Sequence, residues 1–140
     1  MKLLIIVGAS LIVILFALPG VFPGRVPPAK ITRQRMAYDR VRILEYGRVH
    51  GKLPPDLSVL PRLPLKPEAD HYFEDGWRRR LVYEVDSSGI VALKSLGRDG
   101  LPGGTGEDAD IVFRFPSHGA DGNWIEANYA DYDSYQPINP

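Results

Sequence analysis

The sequence predicts an α+β domain: one amphipathic helix packed on a small antiparallel sheet, behind an N-terminal transmembrane helix. Three observations carry this. Leu3 to Leu18 is apolar apart from Gly8 and Ser10. Residues 29–50 repeat apolar side chains at spacings of three and four, which puts them on one side of a helix. Residues 80–115 hold three strand-like runs separated by turn residues, with a loop of glycines and acids before the last run.

The first apolar run is about 24 Å long as a helix, and extending it to Phe22 brings it to roughly 30 Å, enough to span a hydrocarbon core. A cleaved signal peptide is the rival reading. The run slightly exceeds an ordinary signal core, and Leu15 and Leu18 stand where a cleavage site needs small residues, so residues 1–22 read as a retained anchor, with lipid contact through residues 3–22. Residues 23–28 are a proline-rich break (Pro23, Pro27, Pro28).

Residues 29–140 then form the globular domain. Pro28 suits a first helical turn and Gly51 closes the helix 29–50. Its apolar side comprises Met36, Ala37, Val41, Ile43, Leu44, Tyr46 and Val49; Arg33, Arg40 and Arg48 are expected on a solvated face. Residues 52–67, with prolines at 54, 55, 61, 64 and 67, form an extended connector whose leucines (53, 57, 60, 63, 65) seal a core edge. Strands are expected at 80–86, 90–96 and 110–115, the first two joined by the turn Asp86-Ser87-Ser88-Gly89. Trp77 reads as a core aromatic, Arg78-Arg79-Arg80 as a solvated run, and residues 116–140 as an irregular tail.

Composition narrows the function. Seventeen basic and seventeen acidic residues balance to zero, so bulk charge gives no reason to expect a nucleic-acid partner. Cysteine is absent, which removes disulfides and thiolate sites. No G-x-S-x-G or H-E-x-x-H occurs, and His50, His71 and His118 lie in separate segments without ligand spacing. Asp108 and Asp110 form a carboxylate pair, but both lie on one loop of a short chain that offers little cleft. An enzyme is not expected.

The loop from Ser95 to Ile111 is the most informative stretch. Five glycines (97, 100, 103, 104, 106) alternate with Asp99, Glu107, Asp108 and Asp110. Such a loop is either a solvated turn or a wrap of oxygens round a hard cation, for which calcium's loose six-to-eight-oxygen geometry suits best. It is neither an EF-hand nor a phosphate loop.

Ser95-Leu96-Gly97-Arg98-Asp99-Gly100, then Gly103-Gly104 and Gly106-Glu107-Asp108-Ala109-Asp110-Ile111, resembles the C-terminal signature of the type II secretion major pseudopilins, the G family. Asp75-Gly76-Trp77 with Leu81-Val82-Tyr83 resembles that family's D-P-W-G-x-P-Y-x-Y segment, with Gly76 in place of proline and Arg78 in place of glycine. Asn123-Trp124 resembles the pair near which relatives end.

The resemblance implies a type IV pilin-like fold with a calcium-binding loop. The implied ligands are the Leu96 carbonyl and the side chains of Asp99 and Asp108, with Glu107 and Asp110 as further candidates. It implies a structural subunit of a secretion pseudopilus that supports protein export. Such a subunit self-assembles into a helical filament with other pseudopilins on an inner-membrane secretion platform. It is single-pass in the bacterial inner membrane, with its C-terminal domain in the periplasm. The alternative is a membrane-anchored calcium-binding module of the same fold that does not assemble.

Two features depart from the family pattern. The relatives' basic leader, glycine cleavage site and glutamate at the fifth mature position have no counterpart: Lys2 stands alone, Ile5 occupies the fifth position, and the first acid is Asp39. Arg25, Lys30, Arg33 and Arg35 follow the apolar run, which the positive-inside rule by itself would place in the cytoplasm. The resemblance favours the opposite orientation.

Overall fold

Pro28 begins the one long helix, α1 (Pro28–His50), in a computed structural model that describes residues 26–61 and 73–126. Proline fits the first turn because its missing N–H would have no helical partner there. The Pro27 carbonyl instead accepts from the N–H groups of Lys30 and Ile31. Gly51 ends α1 in the left-handed region at φ 69°, its N–H donating to the Gly47 carbonyl, while Arg48 and His50 bring basic groups to the negative end of the helix dipole.

Three antiparallel strands follow: β1 (Val82–Val85), β2 (Ile90–Ser95) and β3 (Ile111–Pro116), in the order β1-β2-β3. Tyr83, Leu93 and Phe113 align across the sheet, and Val85, Val91 and Phe115 form the next row. Period-two alternation turns these rows to one face, and α1 lies against β3. Met36, Ile43 and Leu44 meet Val91, Leu93, Phe113 and Phe115 there, with Leu57, Leu60 and Leu81 closing the margins. Each such side chain contributes about 1.5–3 kcal/mol by leaving water. β1 is the thin edge: Val85 shares the inner face but stays exposed, while Tyr83 is partly buried, its hydroxyl donating to the Pro54 carbonyl, and burial pushes its pKa up to about 12.

The helix plus three-strand arrangement agrees with the expectation, the strands being shorter than or shifted by one or two residues from the sequence ranges. In the described part of the connector Leu57 and Leu60 are buried and Leu53 partly so, and Leu57–Val59 forms a 3-10 turn. The anchor (1–22), residues 23–25 of the proline-rich break, Leu63, Leu65, His71 and the tail beyond Glu126 lie outside the described residues. No helix among those described is long and apolar enough to cross a membrane.

Two helix assignments need correction. Val49, expected on the core side, is 65% exposed. Arg40, expected in solvent, is buried with its guanidinium 5.8 Å from the Phe115 ring centre. Helical geometry explains both: relative to Met36, Val49 is rotated by about 140° and Arg40 by only about 40°. The arginine's aliphatic stem fits a core-side position, and its planar head stacks on an aromatic ring. Arg42 is buried too, over Phe73 and hydrogen-bonded to Asp39 and to the Pro61 carbonyl, which ties α1 to the connector.

Candidate metal loop and its brace

The acid loop is built on a turn that precedes the sheet. Asp75 is fully buried. Its Oδ1 accepts from the backbone N–H of Trp77 and Arg79 at 2.8 and 2.9 Å, and its Oδ2 accepts from the Ser95 hydroxyl at 2.6 Å. Three donors on one carboxylate offset the cost of burying its charge. The Asp75 carbonyl in turn accepts from Arg35 and Arg78.

Gly76 lets this turn meet α1. A Cβ on Gly76 would stand 2.1 Å from the Pro28 carbonyl oxygen, and the Gly76 N–H donates to Thr32 Oγ1. The family's proline at this place would lack that N–H and would collide, so this chain's glycine and Thr32 form a matched pair.

From the turn, two contacts reach the loop. Ser95 Oγ accepts from the Gly97 N–H, and Arg79 donates to the carbonyls of Gly97 and Arg98. The expected solvated run Arg78-Arg79-Arg80 is exposed on average, yet its middle member braces the loop.

The loop's two arms are stitched by backbone bonds from Arg98 N–H to the Glu107 carbonyl and from Asp110 N–H to the Gly103 carbonyl. Gly97 (φ 63°) and Gly104 (φ 81°) both face the Asp108 carbonyl, and a Cβ on either would come within 2.5 Å of that oxygen. Any other residue at these two positions would hold the arms apart.

The acids named from the sequence divide into three groups. Asp108 receives a bidentate pair of hydrogen bonds from Arg98 (Nε to Oδ1 at 2.9 Å, Nη2 to Oδ2 at 3.0 Å), and Glu107 Oε2 accepts from Arg98 Nη1 at 3.1 Å. Asp99 turns back on its own turn, accepting from the Leu101 N–H, while the Leu96 carbonyl accepts from Gly100. Asp110 is the odd one: its Oδ1 is buried and has no hydrogen-bond partner.

No three carboxylate or histidine side chains converge on one centre among the described residues. Arg98 supplies a positive charge to Asp108 and Glu107 from inside the loop. The signal was present in the sequence: Arg98 is the one base between Ser95 and Ile111, in a segment whose glycines permit a fold-back.

As a donor set the loop still suits a hard cation. Every candidate ligand is an oxygen, two of the carboxylates (Asp108 and Glu107) already hold a positive charge, and Asp110 Oδ1 is an acceptor that no protein group fills.

At the far end of the sheet, Trp124 lies over α1 at Gly47, where a Cβ would be 2.2 Å from the indole ring, and its ring centre is 4.1 Å from that of His118. Ser117 Oγ is 2.9 Å from His118 Nδ1, but Ser117 is buried and its hydroxyl donates to the Gly89 carbonyl, so the contact is a structural tie. Asn123-Trp124, singled out in the sequence, therefore fastens the chain after β3 to α1.

A family model described as type II secretion system (T2SS), protein G, matches residues 61–114, a span that contains the Asp75 turn, all three strands except the end of β3, and the whole acid loop. No curated protein matches the chain, and no solved structure does. The matched family is one of structural pseudopilins and not of enzymes. Over residues 61–114, then, the chain is similar to the type II secretion system protein G family.

Proposed function

We propose that the protein is a structural subunit of a type II secretion pseudopilus. It is anchored in the bacterial inner membrane through residues 3–22, with its C-terminal domain in the periplasm, and stacks with copies of itself and with other pseudopilins on the inner-membrane secretion platform. The observation that carries this reading is the family match over the segment in which the Asp75 turn braces the acid loop. A helix packed on a three-stranded antiparallel sheet is consistent with it.

The test is assembly. Produced with a secretion platform, the full chain is expected in sheared surface filaments seen by electron microscopy. A chain that stays monomeric in detergent and never enters a filament would favour the non-assembling module instead.

Calcium is the second part of the reading. Asp99, Asp108 and Asp110, with the Leu96 carbonyl and Glu107, are the groups that would hold it, and the ion would supply charge and rigidity to the loop before β3. Asp110 Oδ1 supports this, as a buried acceptor with an unmet demand. A ligand that binds only the folded state raises stability by about 2.7 kcal/mol at a hundred times its Kd. Calcium should therefore raise the thermal midpoint of the full chain, and Asp110→Asn should remove most of the rise. A flat titration to millimolar calcium would count against the site.

A further inference from the structure

Arg98 occupies two of the five groups assigned to calcium. Its guanidinium spans both oxygens of Asp108 and reaches Glu107 with its remaining amino group. We infer that Arg98 is the loop's resident counter-cation, and that a divalent ion binds only by displacing this side chain from Asp108 and Glu107. The inference rests on the calcium reading above and adds to it a competitor within the chain.

The geometry favours exchange over coexistence. A bidentate arginine uses the in-plane acceptor positions of both carboxylate oxygens, the same positions a cation would take. Two like charges on one carboxylate repel, so the guanidinium must leave as a divalent ion arrives.

Leaving is undemanding for this side chain. Arg98 is 57% exposed and its aliphatic stem is not part of the core. The backbone around it stays where it is: the Arg98 N–H remains bonded to Glu107, and Arg79 holds the carbonyls of Gly97 and Arg98 from the other side. Only the side chain needs to swing. The loop is then closed in both states, by its own arginine without the ion and by the ion once it is bound.

Two consequences follow. The loop stays closed without calcium, because Arg98 already offsets part of the charge of Asp108 and Glu107. Calcium binding is weaker than the same oxygens would give without Arg98, since part of the ion's attraction is spent on expelling a cation.

Calcium titrations of the full chain by isothermal calorimetry, with thermal midpoints in chelator, test this on wild type, Arg98→Ala and Arg98→Lys. Arg98→Ala should bind calcium about fivefold more tightly than wild type, in keeping with the modest strength of an exposed ion pair, and should melt lower in chelator. Arg98→Lys keeps the charge but loses the planar fork, so it should fall between the two; it also serves if the alanine variant is poorly folded without the ion. If all three chains bind calcium with one affinity, the inference fails and the calcium reading stands. If none binds calcium, both fail.

Discussion

Two aspartates, Asp75 and Asp39, are buried almost equally, yet their surroundings differ. Asp75 lies in the turn before β1 and has three donors, two of them backbone N–H groups fixed by the turn itself. Asp39 lies mid-helix, where backbone N–H groups are already committed. Its Oδ1 accepts from Arg42 at 3.1 Å, while its Oδ2 is buried without a hydrogen-bond partner. Burial therefore dominates, and despite the charge of Arg42 the pKa of Asp39 is pushed up to about 6. A buried carboxylate is comfortable where loop backbone encircles it and strained where a helix denies it donors. The first arrangement suits a brace; the second ties α1 to the connector through Arg42.

The largest effect is expected at Asp75. Replacing it by alanine leaves the Trp77 and Arg79 N–H groups and the Ser95 hydroxyl without their acceptor, and unties the loop from the turn. A loss of about 3–4 kcal/mol is expected in denaturant unfolding, a large share of a small domain's stability. If Asp75→Ala cost no more than an exposed substitution, the Asp75 turn would not be the platform of the loop.

Asp39 should show itself through pH. Its folded pKa lies above the ordinary 3.8, so between about pH 4 and 6 the folded state keeps a proton that the unfolded state has released. Stability should accordingly fall as pH rises through that window, by on the order of 3 kcal/mol, and level off above it. Asp56, Asp86 and Asp121 are shifted downward by hydrogen bonds from Ser58, Ser88 and Asn123, so their contributions are lost at lower pH and do not mask the trend. Asp39→Asn should flatten the slope between pH 4 and 6; a slope unchanged by the substitution would place the titrating group elsewhere.

Much of this fold was legible in the sequence because its signals are local. Pro28 and Gly51 bracket α1, alternation marks β2 and β3, and glycines cluster where Gly97 and Gly104 must approach the Asp108 carbonyl. The candidate loop was legible as a place but not as an arrangement. Two of its acids are held by an arginine nine and ten residues away, and the residue that braces the loop, Arg79, comes from another segment. Pattern reading assigns arginines to solvent by default, which misplaced Arg40 and overlooked the roles of Arg42, Arg79 and Arg98. Composition does not encode which guanidinium meets which carbonyl or ring; the pairing is fixed only when distant segments are brought together.

The smallest prediction sharpens the account of the Asp75 turn by asking what that turn still costs. Arg78 closes it with φ 66°, in the left-handed region, its N–H donating to the Asp75 carbonyl. A side chain in that region costs about 1–2 kcal/mol, whereas glycine adopts it freely. Glycine is the residue that the resembling family segment carries at this place. Against this gain stands the greater entropy glycine brings to the unfolded chain, about 0.4–1 kcal/mol. Arg78→Gly should therefore raise stability by roughly 0.5–1 kcal/mol, visible as a slightly higher urea midpoint with an unchanged slope. A drop would mean that the exposed Arg78 side chain holds the turn by contacts that outweigh its backbone strain, and that Asp75 has less of the work to do.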